Sequence, residues 1–225
     1  MKQAATQTGA ASGTAYSIGE EIANSISHGI GAILSVAGLA VLVTFTAIHG
    51  DAWAVVSTAV YGSTLILLYM ASTLYHFLRG EQAKRVLRKF DHAAIFLLIA
   101  GTYTPFVLGP LRLHGALGWG LFGTVWGLAI AGVVLKFWFT GRFRALSTGI
   151  YVGMGWLILV AAKPLFEAMS WPAISLLIAG GACYTGGVVF YTMRRLPYHH
   201  AIWHAFVLGG SVCQYFAVLK TMVPG

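Results

Sequence analysis

Residues 26–48, ISHGIGAILSVAGLAVLVTFTAI, decide the fold, because this run contains no Asp, Glu, Lys or Arg. A helix that crosses a membrane needs about 20 consecutive, mostly apolar residues, and the run is long enough. Six further mostly apolar runs follow it, at 53–78, 91–110, 115–136, 145–162, 172–193 and 200–220. The sequence therefore predicts an all-α membrane protein, a bundle of seven transmembrane helices.

The composition of the whole chain supports a membrane location. Hydrophobic residues make up 58% and charged residues 9% of the 225 residues, whereas a soluble domain carries about 25% charged residues. So few charges would not cover a surface that faces water. Residues 1–19 are polar and rich in Ala, Thr, Gly and Ser. We expect a flexible tail there, followed by a single domain over residues 20–225.

Positive charge indicates the orientation of the bundle. Of the 14 Lys and Arg residues, eleven fall in the N-terminal tail or in the connections after the second, fourth and sixth runs. Cytoplasmic connections carry the excess of Lys and Arg in membrane proteins. We therefore expect the N-terminus in the cytoplasm and the C-terminus outside. The same topology explains the net charge of +8, so we expect no nucleic-acid partner.

Ionisable residues inside the apolar runs concentrate at the cytoplasmic end of the predicted bundle. The second run finishes there with Ser72-x3-His76, the third begins there with Asp91, and the seventh begins there with His200-x3-His204. Residues four apart lie on one face of a helix, so each motif presents its two side chains together. Ionisable groups at membrane depth are costly and usually mark function.

Three neutral imidazoles are a suitable ligand set for zinc. We predict that His76, His200 and His204 bind Zn²⁺ and leave a fourth position to water, as in catalytic zinc sites. A carboxylate nearby can take a proton from such a water, and we assign this role to Asp91. The Ser72 hydroxyl would hydrogen-bond the water or a ligand. The alternative for Asp91 is a charge that only stabilises a helix N-terminus.

A second polar cluster precedes and enters the first run. Glu20, Asn24 and His28 are spaced four apart along one helical face, with Glu21 beside them. One interpretation is a solvated, capped first turn of the helix. The other is a polar network that supports the metal site. His28 is also an alternative metal ligand, and the sequence alone leaves that open.

Two pairs of glycine residues predict places where helices pack closely. Gly123-x3-Gly127 lies in the fourth run and Gly149-x3-Gly153 in the fifth. Small residues at this spacing let transmembrane helices approach each other. We therefore expect helix crossings at both pairs.

Five short motifs together point to a family. They are Glu21-x2-Asn24-x3-His28, Ser72-Thr-Leu-Tyr-His76, Phe90-Asp91-His92, Ala100-Gly-Thr-Tyr-Thr-Pro105 and His200-Ala-Ile-Trp-His204. Each is weakly specific alone. In combination they resemble the hemolysin III family, the bacterial branch of the progestin and adipoQ receptor family. The resemblance covers roughly residues 20–220.

The resemblance implies a seven-helix bundle with zinc bound by His76, His200 and His204, Asp91 near the water on the metal and Ser72 close by. It also implies a bacterial inner (plasma) membrane location, membrane lipids as partners and a lipid substrate. The adiponectin-receptor relatives have been linked to hydrolysis of lipid amides, as ceramidases. Bacterial members are linked to cytolysis and to membrane lipid homeostasis. A shared fold does not transfer a substrate.

Three functions remain open from the sequence. The first is a zinc-dependent hydrolase of membrane-lipid amides or esters. The second is a non-enzymatic sensor or regulator of membrane state, in which zinc is structural. The third is a pore-forming cytolysin. The seven predicted spans argue against a secreted toxin, since they suit a resident membrane protein. The sequence does not indicate an oligomeric state.

Overall fold

The structure is a computed structural model and describes residues 16–140 and 142–223. Within them, seven helices are long and apolar enough to cross a membrane. They are α1 (Ile18–His49), α2 (Ala52–Phe77), α3 (Glu81–Leu108), α4 (Ala116–Phe139), α5 (Arg144–Ala168), α6 (Trp171–Thr192) and α7 (His199–Met222). A short 3₁₀ helix, Pro110–His114, joins α3 to α4. The predicted all-α, seven-span fold is confirmed.

Two helices begin earlier than the apolar runs suggested. α3 begins at Glu81, so Asp91 lies inside the helix and does not open it. Residues 81–90, EQAKRVLRKF, precede Asp91 and are mostly polar, but most of them are strong helix formers. α1 begins at Ile18, within the predicted tail, because Ser17 and Glu20 form a reciprocal capping box. Residues 1–15 of that tail lie outside the described part of the chain.

α3 is the most buried of the seven helices and α5 the least. The outward faces of the bundle are apolar, with large exposed side chains such as Ile33, Trp138 and Val160. Apolar surface of this extent would be unfavourable in water and suits a lipid environment.

A break in α5 is held by a side chain from α3. The helix changes from α to 3₁₀ geometry over Leu157–Ala161. There the Tyr103 hydroxyl donates to the carbonyl oxygens of Met154 at 2.6 Å and Gly155 at 3.0 Å, and it accepts from the backbone N–H of Ile158 at 2.7 Å. Because hydrocarbon offers no hydrogen bonds, backbone groups freed inside a membrane need partners of this kind.

The predicted glycine crossings are wrong. A Cβ atom added at any of the four glycines would lie more than 4 Å from every described atom of a neighbouring element. The four are Gly123, Gly127, Gly149 and Gly153. Close packing occurs at other glycines, such as Gly31, where a Cβ would lie 2.6 Å from the Tyr69 ring. Spacing identifies small residues on one helical face, but it does not tell whether that face points into the bundle.

Candidate metal centre

Three histidines meet at one end of the bundle. His76 lies in the last turn of α2, and His200 and His204 lie in the first turns of α7. All three are buried, and one ligand nitrogen from each lies within 4.8 Å of the others. Nitrogens around a tetrahedral zinc ion are about 3.3 Å apart, given Zn–N bonds of about 2.0–2.1 Å. The nitrogens are therefore at most about 1.5 Å farther apart than in an occupied zinc site.

In two of these histidines, hydrogen bonds show which ring nitrogen is left free for a metal. His76 Nδ1 lies 2.6 Å from Glu21 Oε2, and a carboxylate only accepts, so Nδ1 carries the proton. The other Glu21 oxygen pairs with the Lys84 ammonium group. His204 Nδ1 lies 3.2 Å from the backbone carbonyl oxygen of Asn24, which only accepts, and 3.1 Å from Ser27 Oγ. Because the Ser27 hydroxyl donates to the same Asn24 carbonyl at 2.9 Å, Nδ1 of His204 also carries the proton. In both rings Nε2 keeps the lone pair that a metal would take, an arrangement typical of metal-binding histidines.

The histidine ring nitrogens that make no hydrogen bond support a metal site. Four ring nitrogens of these three histidines are buried and have no hydrogen-bond partner in the described part of the chain: His76 Nε2, His200 Nδ1, His200 Nε2 and His204 Nε2. The same holds, among the described residues, for both ring nitrogens of His28. A buried polar atom without a partner costs about 1–3 kcal/mol. A metal ion bound by one nitrogen from each ring would offset much of that cost. The residues present therefore fit a three-histidine metal site.

Tyr16 covers this cluster and was not predicted. Its ring centroid lies 5.0 Å from that of His200 and 5.9 Å from that of His76. Burial raises the pKa of the Tyr16 phenol well above its usual range, so the side chain stays uncharged. Nothing in the surrounding polar sequence singled this residue out. Tyr16 lies two residues before the start of α1 at Ile18, and this early helix start places its ring beside the histidines.

Asp91 and Ser72 lie next to the ligand set and not within it. Both are buried, and the Ser72 side chain lies beside the Asp91 carboxylate. Asp91 is not among the residues whose ligand atoms cluster. The nearest ring nitrogen of His92 is 3.8 Å from the carboxylate, which is beyond hydrogen-bond distance.

The second predicted cluster divides between two roles. Glu20 forms the capping box with Ser17 and accepts the backbone N–H of Tyr198 at 3.1 Å, so it serves the fold. The other three members contact the histidines: Glu21 and Asn24 as described above, and His28 by stacking on His204 with 3.4 Å between ring centroids. His28 itself does not belong to the group that could hold an ion.

An apolar cavity of about 170 Å³ adjoins the metal centre. His28 and Asp91 line it near the histidines, and α2, α3, α5, α6 and α7 supply its other walls. Gly155 and Trp156 of α5 also line it and are exposed on the outer face of the bundle. There the Trp156 ring N–H donates to Thr185 Oγ1 of α6 at 3.0 Å. The cavity thus leads from His28 and Asp91, beside the histidine cluster, towards the lipid-facing surface.

Seven membrane-crossing helices around a buried histidine cluster define a multi-pass membrane protein with a site that can hold a metal ion. The sequence profile described as "Haemolysin-III related" matches residues 16–215, and the chain belongs to that family. The family resemblance predicted from the motifs is confirmed.

Individual relatives agree with this assignment. The chain is 50% identical over 204 residues to the "Hemolysin-3 homolog" of Bacillus subtilis (strain 168), which covers 91% of this chain and 95% of the relative. It is also 50% identical over 205 residues to "Hemolysin-3" of Bacillus cereus, with 91% and 93% covered. A more distant similarity, 26% over 211 residues, is to the human "Monocyte to macrophage differentiation factor", with 89% and 84% covered.

Proposed function

We propose that the protein is a zinc-dependent hydrolase that cleaves amide or ester bonds of membrane lipids, like a ceramidase, and acts in membrane lipid homeostasis. One observation carries the proposal: the three-histidine cluster, with a buried carboxylate beside it, adjoins an apolar cavity inside a membrane bundle. Zinc is the ion of choice because three imidazoles with one open position are typical of catalytic zinc. The apolar walls suit the acyl chain of a lipid.

We also propose that the protein resides in a bacterial plasma membrane with its N-terminus in the cytoplasm. The bacterial relatives and the excess of Lys and Arg on one side of the predicted topology support this. In this orientation the metal centre lies at the cytoplasmic end, so the enzyme would act on lipids of the inner leaflet.

The residues around the centre have separate tasks in this reaction. Zinc, when bound by the three histidines, would polarise the lipid carbonyl and make a water molecule more acidic. Asp91 would accept a proton from the attacking water and return it to the leaving nitrogen or oxygen. Ser72 would orient the Asp91 carboxylate. One water and one lipid are consumed, and one carboxylic acid and one amine or alcohol are produced.

Turnover by the purified, zinc-loaded protein tests the proposal. Ceramides and phospholipids would be offered in detergent micelles, and released fatty acid measured by mass spectrometry. Asp91→Asn keeps the size of the side chain but removes the proton acceptor, so we expect at least about a 100-fold loss of rate with zinc content unchanged. Stoichiometric zinc without release of fatty acid from any of these lipids would refute the hydrolase.

A structural role for the metal is the second candidate, because the ligands and their partners come from α1, α2 and α7 and an ion would tie these helices together. A non-enzymatic sensor or regulator of membrane state predicts that His76→Ala sharply lowers the melting temperature while no product forms.

The names of the Bacillus relatives favour a third candidate, a pore-forming cytolysin. Dye release from liposomes at a low protein-to-lipid ratio, unchanged by Asp91→Asn, would support a pore.

A further inference from the structure

A glutamine deep in α7 lines the cavity and has an unused hydrogen-bond acceptor. Gln214 is 4% exposed and lines the cavity. Its Nε2 donates to the backbone carbonyl oxygen of Leu177 in α6 at 3.1 Å. Its Oε1 is buried and has no hydrogen-bond partner among the residues that the structure describes. No motif of the sequence analysis included this residue, although a lone amide in an apolar span is itself a sign of function.

The orientation of this amide follows from its surroundings. The Leu177 carbonyl can only accept, so the atom facing it must be the nitrogen, and the oxygen points elsewhere. Gly180 makes room for the amide, since a Cβ at that position would lie 2.6 Å from Gln214 Nε2. The side chain is therefore held as a fixed acceptor and not as a freely rotating polar group.

The neighbouring polar side chains already satisfy one another. The Tyr69 hydroxyl donates to Ser211 Oγ at 2.8 Å, and the Tyr184 hydroxyl lies 2.9 Å from the same oxygen. Ser211 is one turn before Gln214 on α7. Tyr184 lines the cavity as well. This cluster makes the middle of the cavity partly polar and leaves the Gln214 oxygen as the acceptor for a bound molecule.

The position of Gln214 along α7 specifies where that molecule must carry a donor. Gln214 follows His204 by ten residues, and a helix rises 1.5 Å per residue, so the two are about 15 Å apart along the axis. An extended hydrocarbon chain advances roughly 1.25 Å per carbon, given bonds of about 1.5 Å. A lipid whose carbonyl lies at the histidines would reach Gln214 at about its twelfth carbon.

We propose that Gln214 selects lipids that carry a hydroxyl group in the middle of a long acyl chain. The hydroxyl would donate to Gln214 Oε1, which is otherwise buried without a partner. This inference rests on the proposed function, because it places the reactive carbonyl at the metal centre and the acyl chain in the cavity.

Binding of matched fatty acids to the zinc-loaded protein tests the inference without requiring turnover. Trp156 and Trp203 line the cavity, so a bound dibrominated octadecanoic acid should quench tryptophan fluorescence, and competing acids should restore it. We expect 12-hydroxyoctadecanoic acid to compete about tenfold better than octadecanoic acid, the effect of one buried hydrogen bond. The 6-hydroxy isomer, whose hydroxyl lies far from both the histidines and Gln214, should compete no better than octadecanoic acid.

Substitution then assigns the preference to one side chain. Gln214→Met keeps a side chain of similar length without the oxygen, and should abolish the preference while octadecanoic acid still binds. Val207→Ala, at another position of the cavity wall, should change both affinities alike. The comparison of acids on the unaltered protein remains decisive even where Gln214→Met fails to fold.

Equal competition by the 12-hydroxy and unsubstituted acids would overturn the inference, as would a preference that persists in Gln214→Met or extends to the 6-hydroxy isomer. Failure of all three acids to compete would instead refute acyl-chain binding in the cavity, and the proposed function with it.

Discussion

Replacing Glu21 tests how strongly the metal centre depends on the carboxylate behind His76. Glu21 accepts the Nδ1 proton of His76 at 2.6 Å and is itself paired with Lys84. The carboxylate fixes the tautomer of the ring and strengthens Nε2 as a ligand. Loss of such a partner weakens metal binding by about 10- to 100-fold, or about 1.4–2.7 kcal/mol. Since glutamine still offers an acceptor, we expect Glu21→Gln near the lower value and Glu21→Ala near the upper one.

The adjacent carboxylate provides a matched control. Glu20 accepts the backbone N–H groups of Ser17 and Tyr198 and is hydrogen-bonded to no histidine ligand. Glu20→Gln should therefore leave the zinc dissociation constant unchanged and lower stability by about 1 kcal/mol through the weakened cap. Competition between the purified protein and a chromophoric zinc chelator gives the dissociation constants, and thermal melting gives the stabilities.

Equal zinc affinity in the native protein and in Glu21→Ala would refute the role assigned to this carboxylate. Equal losses of affinity in the Glu20 and Glu21 variants would also refute it, because the cause would then be disturbance of the first turn of α1 and not loss of the His76 partner.

Three further predictions concern the centre and the bundle around it. Removing zinc with a chelator should lower the melting temperature reversibly, since free zinc at 100 times its dissociation constant stabilises the fold by about 2.7 kcal/mol; an unchanged melting temperature would argue against a bound ion. Tyr16→Ala should speed zinc release to a chelator in stopped-flow measurements, because the ring covers the histidines, and an unaltered rate would contradict this shielding. Tyr103→Phe should destabilise the bundle by about 1–3 kcal/mol, since the break in α5 loses its hydroxyl partner; identical unfolding curves in sodium dodecyl sulfate would disprove it.

Hydropathy predicts the architecture of this protein well, because each span must be apolar over its whole length. The histidine cluster is also visible in the sequence, since His76, His200 and His204 interrupt apolar runs at ends that the topology brings to one side. Helix starts are less visible. α3 extends back to Glu81 through a polar stretch that a hydropathy criterion excludes, although its helix propensity is high.

Contacts between helices are what the sequence could not supply. Helical spacing grouped Glu20 with Asn24 and His28, yet Glu21 is the carboxylate that reaches His76, because the rotation of α1 against α2 decides the partner. Tyr16 and Gln214 were missed for the same reason, because the role of each depends on contacts with a neighbouring helix. The spacing of residues within one helix does not identify the residues of other helices that pack against it.

We infer that His76, His200 and His204 jointly bind one transition-metal ion. Elemental analysis of the purified protein, alongside variants with each histidine changed to alanine, measures this binding. We expect close to one zinc per chain in the native protein and a large loss in all three variants. A native protein without metal, or variants that retain the full amount, would contradict it.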